Sequence, residues 1–163
     1  MRKINNYAFI DGQNLDKSIK KQGLKLNYKK FREFLSDKFG VSKAFYFIGY
    51  MQEYTNGFYK DLRVCNYTLS FRKPVIDSDG KIKANVDANL ITHVMMKLNS
   101  YNKAVIVAGD SDYYCLCKYL IRQNKLCQVI VPCKAKCPKI YKNNLKFRNW
   151  VSYLSRQTDL LYK

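Results

Sequence analysis

The chain has 163 residues, 47% of them hydrophobic, with 30 lysines and arginines against 12 acids and a formal net charge of +18. That content supports the core of one domain and excludes a disordered chain, and no run approaches the ~18 apolar residues of a membrane span. The start, Met1–Asn6, is basic and polar, and the apolar run Tyr7–Ile10 is too short for a signal peptide, so a cytoplasmic protein with six reduced cysteines is expected.

In chain order, Tyr7–Ile10 reads as a short buried strand that ends in an acid and a turn, Asp11–Gly12–Gln13–Asn14. Asn27 is placed to cap a helix over 28–39, with Phe31, Phe34, Leu35 and Phe39 on one face and Gly40 as its stop. The aromatic run Lys43–Tyr50 predicts a second strand, 54–65 a helix, and Tyr67–Phe71 a third strand closed by Pro74. Residues 76–85 form a polar loop with an Asp79–Gly80 turn. A helix then starts near Asp87, striped by Leu90, Ile91, Val94, Met95 and Leu98. Ala104–Ala108 is a strand buried on both faces, followed by Gly109–Asp110–Ser111–Asp112, a helix over about 112–123, and a strand Cys127–Val131 broken by Pro132. Residues 133–149 read as basic and irregular, and Trp150–Leu161 as a final amphipathic piece. Alternation of strands and helices predicts one α/β domain over 1–163. It is Rossmann-like, with a mainly parallel sheet of about five strands, helices on both faces, and a basic segment 133–163 packed on or extending it.

In such a sheet Asp11, Asp110 and Asp112 fall at the carboxyl ends of strands, where open α/β sheets place ligands. Asp87 joins them if the loop before it doubles back. Each acid has an ordinary alternative: Asp11 an Asx turn, Asp87 a helix-terminal charge, Asp112 a helix cap. Convergence would need compensation, because two unit charges ~4 Å apart repel by about 4 kcal/mol at an effective dielectric near 20. Hard oxygen donors without histidine partners favour Mg²⁺ or Mn²⁺ over zinc, and an ion held this way can activate water against a phosphate.

The segments Ala8–Phe9–Ile10–Asp11–Gly12–Gln13–Asn14–Leu15, Asn85–Val86–Asp87 and Ala108–Gly109–Asp110–Ser111–Asp112–Tyr113 together resemble the NYN domain. This family is a branch of the PIN-like (5′-nuclease-like) metal-dependent ribonucleases. The resemblance runs from about residue 6 to 131 in strand and motif order. It implies Asp11, Asp87, Asp110 and Asp112 as catalytic, metal-holding acids, Asn14 as polar partner of the first motif, and Ser111 as a hydroxyl beside the cluster. Many members carry a further acid on the helix after the second motif, where this chain has His93, read as a packed side chain or else a ligand or proton-transfer group.

The charge surplus points to a polyanionic partner, RNA, DNA or an anionic membrane surface, unless it reflects only a lysine-rich coding bias. The 14 Tyr and 9 Phe beside it suit stacking on single-stranded bases. Lys134, Lys136, Lys139, Lys142, Lys146 and Arg148 form the densest basic stretch, a track for a phosphate backbone or else a solvated tail. Cys115 and Cys117 sit ~200° apart around a helix, and only Cys133 and Cys137 have knuckle spacing, so small buried thiols rather than zinc are expected.

These readings together predict a Mg²⁺- or Mn²⁺-dependent ribonuclease whose partner is RNA and not a membrane, with a homodimer left open. The alternatives are an RNA-binding PIN-like module with little or no turnover, and an enzyme acting on small phosphorylated substrates.

Overall fold

The computed structural model describes residues 4–49, 57–73, 75–76, 78–80, 82–83 and 86–162. The expectations that touch Tyr50, the start of the 54–65 helix, Pro74 and Asn85 lie outside these residues. The elements run β1 (Asn6–Asp11), α1 (Gly12–Lys20), β2 (Lys25–Leu26), α2 (Tyr28–Phe39), β3 (Val41–Gly49), α3 (Phe58–Val64), β4 (Tyr67–Arg72), β5 (Val75–Ile76), β6 (Ile82–Lys83) and α4 (Asp87–Met96). They continue with β7 (Ala104–Val107), α5 (Tyr114–Arg122), β8 (Leu126–Val131), α6 (Lys139–Asn143), β9 (Val151–Tyr153) and β10 (Leu161–Tyr162).

Six strands form one sheet in the order β4-β3-β1-β7-β8-β9, every neighbouring pair parallel. β1 and β7 are buried along their whole length, which is why both read as unbroken apolar runs. Leu15 and Ile19 of α1, Phe31 and Leu35 of α2, and Tyr59 and Leu62 of α3 pack one face. Leu90 and Val94 of α4, Leu116, Cys117 and Leu120 of α5, and Tyr141 of α6 pack the other.

The chain steps from β1 outward through β3 to β4, then returns to the other side of β1 for β7, β8 and β9. The strand order therefore reverses between β1 and β7, the crevice where sheets of this kind bind ligands.

Local signals act as expected in α2. The Asn27 side chain accepts from the Lys30 amide, and Gly40 ends the helix in the left-handed region at φ 62°. Three segments differ from the sequence reading. The turn after Asp11 is the first turn of α1, a helix masked by its poor formers Gly12 and Asn14 but closed by Leu15 and Ile19 on one side. The loop before α4 carries a short antiparallel pair, β5 with β6, around Gly80 at φ 72°. The chain after 132 is ordered: α6 docks through Tyr141, whose ring lies 5.0 Å from that of Phe147, and β9 adds a sixth strand. The terminal β10 pairs antiparallel with β2. Among the described residues no helix is long and apolar enough to cross a membrane.

Candidate active site

Asp11 closes β1 and opens α1, and its two carboxylate oxygens do different work. Oδ1 accepts from the Asn14 amide at 2.9 Å, capping the helix. Oδ2 accepts from the Tyr113 hydroxyl at 3.0 Å. The same hydroxyl lies 2.6 Å from Oδ1 of Asp87, the first residue of α4. One phenol thus joins acids 76 positions apart, and the local turn-capping role expected of Asp11 is present beside that contact. Gly12 is demanded by the close approach of α1 to β3: a Cβ there would collide with the Tyr46 ring and stand 2.8 Å from the Phe47 carbonyl oxygen.

The β7 side is pinned to α1 through Asn14, whose Oδ1 accepts from the Gly109 amide at 2.8 Å across the switch point. Asp110 caps the tight turn Ser111–Tyr113, its Oδ1 accepting from the Asp112 amide at 3.2 Å, so the cap is Asp110 rather than Asp112. The Asp110 carbonyl accepts a 2.6 Å hydrogen bond from the Tyr141 hydroxyl of α6. Burial pushes the Asp11 carboxyl up to about 6, and the negative charges of Asp87 and Asp110 push in the same direction against the hydrogen bonds from Asn14 and Tyr113. Burial, Asp11 and Asp87 push the Tyr113 phenol far up, so its proton stays on.

Asp11, Asp87 and Asp110 are therefore brought into one electrostatic cluster at the switch point. Asp112 and Ser111 are exposed on the turn beside it, and the field of Asp112 falls on Tyr141. His93 packs its ring edge-on to Phe47 at 5.3 Å and against Phe45 at 6.2 Å, on the sheet side of α4. The six basic residues of 134–148 are all exposed. Lys134, Lys142 and Arg148 converge on a single cavity, whereas Lys136, Lys139 and Lys146 do not line it.

The donors at the switch point suit a hard divalent cation in kind, being carboxylate oxygens, and in charge, since Asp11 is strained by its acidic neighbours. Their present arrangement is open. Among the described residues no three His, Cys, Asp or Glu side chains close around a common point, which applies equally to a zinc site built from the cysteines.

Tyr113 and Tyr141 escaped the sequence reading as site residues. The first has a local signal, a tyrosine directly after the acid pair. The second has none, because its partner is a main-chain carbonyl 31 positions away.

A model of the NYN domain matches residues 7–147, so the match takes in α6 and the first part of the basic segment as well as the three acidic motifs. The chain belongs to the NYN domain family, which includes nucleases, and this membership supports a nuclease-like function. No curated relative matches the chain. Its fold is similar to the crystal structure of a protein of unknown function from Vibrio parahaemolyticus, at 16% identity and a TM-score of 0.72, over 93% of this chain and 91% of that one.

Proposed function

We propose that the chain is a Mg²⁺- or Mn²⁺-dependent ribonuclease that hydrolyses phosphodiester bonds of RNA in the cytoplasm. The observation that carries this is Asp11: a buried carboxylate at the switch point, sharing one phenol with Asp87 and raised by burial and by two neighbouring acids. Such a concentration of negative charge costs stability unless a cation meets it. Asp11, Asp87 and Asp110 would hold the ion, which when bound supplies a Lewis acid for water and phosphate. The rest of the work belongs to the chain. The Tyr113 hydroxyl sets Asp11 and Asp87 relative to each other, Asn14 holds the Gly109 loop against α1, and the cationic surface offsets the repulsion between an acidic site and a polyanion.

Asp110→Asn is expected to lose at least about a thousandfold in Mn²⁺-dependent cleavage of a labelled oligoribonucleotide, equivalent to about 4 kcal/mol of barrier, with its melting temperature preserved. Unchanged cleavage by the purified variant overturns the reading.

One observation favours a second reading, an RNA-binding module with little turnover: no three metal-holding side chains are gathered among the described residues, and Tyr113 stands between two of the acids. Salt-dependent RNA binding by the wild-type protein without any Mn²⁺-dependent product would select it.

A further inference from the structure

We propose that the cavity between the basic segment and the β8–β9 end of the sheet is a phosphate-docking site for an RNA strand, distinct from the acidic cluster. This rests on RNA being the substrate, and it does not rest on cleavage.

The cavity has a volume of about 660 Å³, and its lining includes Lys134, Lys142, Arg148, Gln22, Tyr153 and Ser155. Its three cations come from three separate elements: Lys134 from the turn after β8, Lys142 from α6, and Arg148 from the turn before β9. Convergence from three elements is a property of the fold and not of a solvated tail. Among the described residues no carboxylate lines the cavity, so the mutual repulsion of these cations meets no counter-charge from them within it. Arg148 offers a planar fork that matches two phosphate oxygens, the lysines act as point charges, and Gln22 and Ser155 add neutral hydrogen-bonding groups. Tyr153, whose ring already carries the Arg156 guanidinium at 5.3 Å, gives the cavity a surface on which a base can stack.

Two short connections tie this cavity to the acidic cluster. Lys142 directly follows Tyr141, whose hydroxyl holds the Asp110 carbonyl at 2.6 Å. Lys134 lies two residues after Pro132, whose Cδ is 3.4 Å from where a Cβ of Gly109 would stand. Two of the three segments that supply the cavity's cations therefore also buttress the loop that carries Asp110. A polymer with a phosphate at every unit can occupy both places at once, and a small phosphorylated molecule cannot. The cavity is thereby assigned to a phosphate of the strand other than the one facing the acids.

The test is metal-free binding. Fluorescence anisotropy of a labelled oligouridylate of about twelve nucleotides, in EDTA and over a series of KCl concentrations, compares three proteins. These are the wild type, the cavity triple Lys134→Ala/Lys142→Ala/Arg148→Ala, and a control triple Lys38→Ala/Lys43→Ala/Lys60→Ala that removes the same charge from α2, β3 and α3. All six positions are exposed, so both triples are expected to fold, with circular dichroism as the check. The cavity triple is expected to bind at least about tenfold more weakly, with a salt slope lower by about 2 to 3, and the control to change within about threefold. Equal losses in the two triples overturn the proposal, as does wild-type protein that binds no RNA at low salt. Displacement of the strand by inorganic phosphate or AMP, where KCl of equal ionic strength leaves it bound, also overturns it in favour of a small-molecule pocket. Absence of cleavage in Mn²⁺ bears on the nuclease reading alone, since the binding readout contains no metal.

Discussion

Two carboxylates near the start of α1 meet tyrosines in opposite proportion. Asp16 is one acid served by two phenols: Oδ1 accepts from Tyr28 at 2.6 Å and from Tyr46 at 2.8 Å. Asp11 and Asp87 are two acids served by one phenol, that of Tyr113, at 3.0 and 2.6 Å. A phenol carries one proton, so Tyr113 can satisfy only one of its carboxylates at a time, whereas Asp16 receives a proton from each partner. Both acids are raised by burial. Only Asp11 is raised further by neighbouring acids, while Lys20 pulls Asp16 down. A carboxylate with donors to spare fastens α1 to the sheet. An acid pressed by two acidic neighbours sits in an excess of negative charge, which a cation would offset.

The sharpest break in this contrast is Asp16→Ala. It strands the Tyr28 and Tyr46 hydroxyls, the second of them wholly buried, without their acceptor. Leaving such groups unpaired costs about 1–3 kcal/mol each, so a loss of about 2–6 kcal/mol is expected, seen as a fall of roughly 5–20 °C in melting temperature. If Asp16 is structural, the folded fraction of the variant keeps its RNA cleavage.

Asp11→Asn should move stability the other way. The Asp11 carboxyl is raised from 3.8 to about 6, so the folded chain holds this proton more tightly than the unfolded one. The contribution to stability is then full below about pH 4 and is lost as pH rises through 6. An asparagine carries no charge to bury. Its amide can donate to Tyr113, freeing the phenol proton for Asp87. In EDTA the variant should be more stable than wild type by about 1–3 kcal/mol at pH 8, with the two denaturation curves converging near pH 4. Asp16 titrates in the same sense in both proteins and cancels in the difference. Cleavage by the variant should be lost, and Mn²⁺ should raise the melting temperature of wild type but not of Asp11→Asn.

Much of this arrangement is legible in the chain, and the illegible part has a common cause. β1 and β7 announce themselves because strands buried on both faces need continuous apolar residues. Asn27 and Gly40 mark the ends of α2 because caps are local chemistry. β9 is three residues long and exists through its pairing of Val129 with Val151, which no window around Val151 encodes. α1 is a weak helix by propensity and owes its place to the Asp11 cap, with Leu15 and Ile19 four apart as the one sign of it. Within the site, the acids were visible by type and position at strand ends. The proton inventory around them was not, because Tyr113 reaches partners 102 and 26 positions away.

Tyr113→Phe gives the smallest effect and the finest discrimination. The ring is buried among apolar neighbours, so phenylalanine keeps its packing and deletes only the bridging hydroxyl. If the phenol were a full partner to both acids, its loss would cost as much as Asp16→Ala. A single proton shared between two carboxylates satisfies one bond, so a loss of about 1 kcal/mol is expected at pH 8. Removing the hydrogen bond that lowers the Asp11 carboxyl should also carry the pH-dependent fall in stability to higher pH than in wild type. Equal costs in Tyr113→Phe and Asp16→Ala at pH 8 would show that the Tyr113 phenol serves each acid fully, and the contrast between the two clusters would fall with that result.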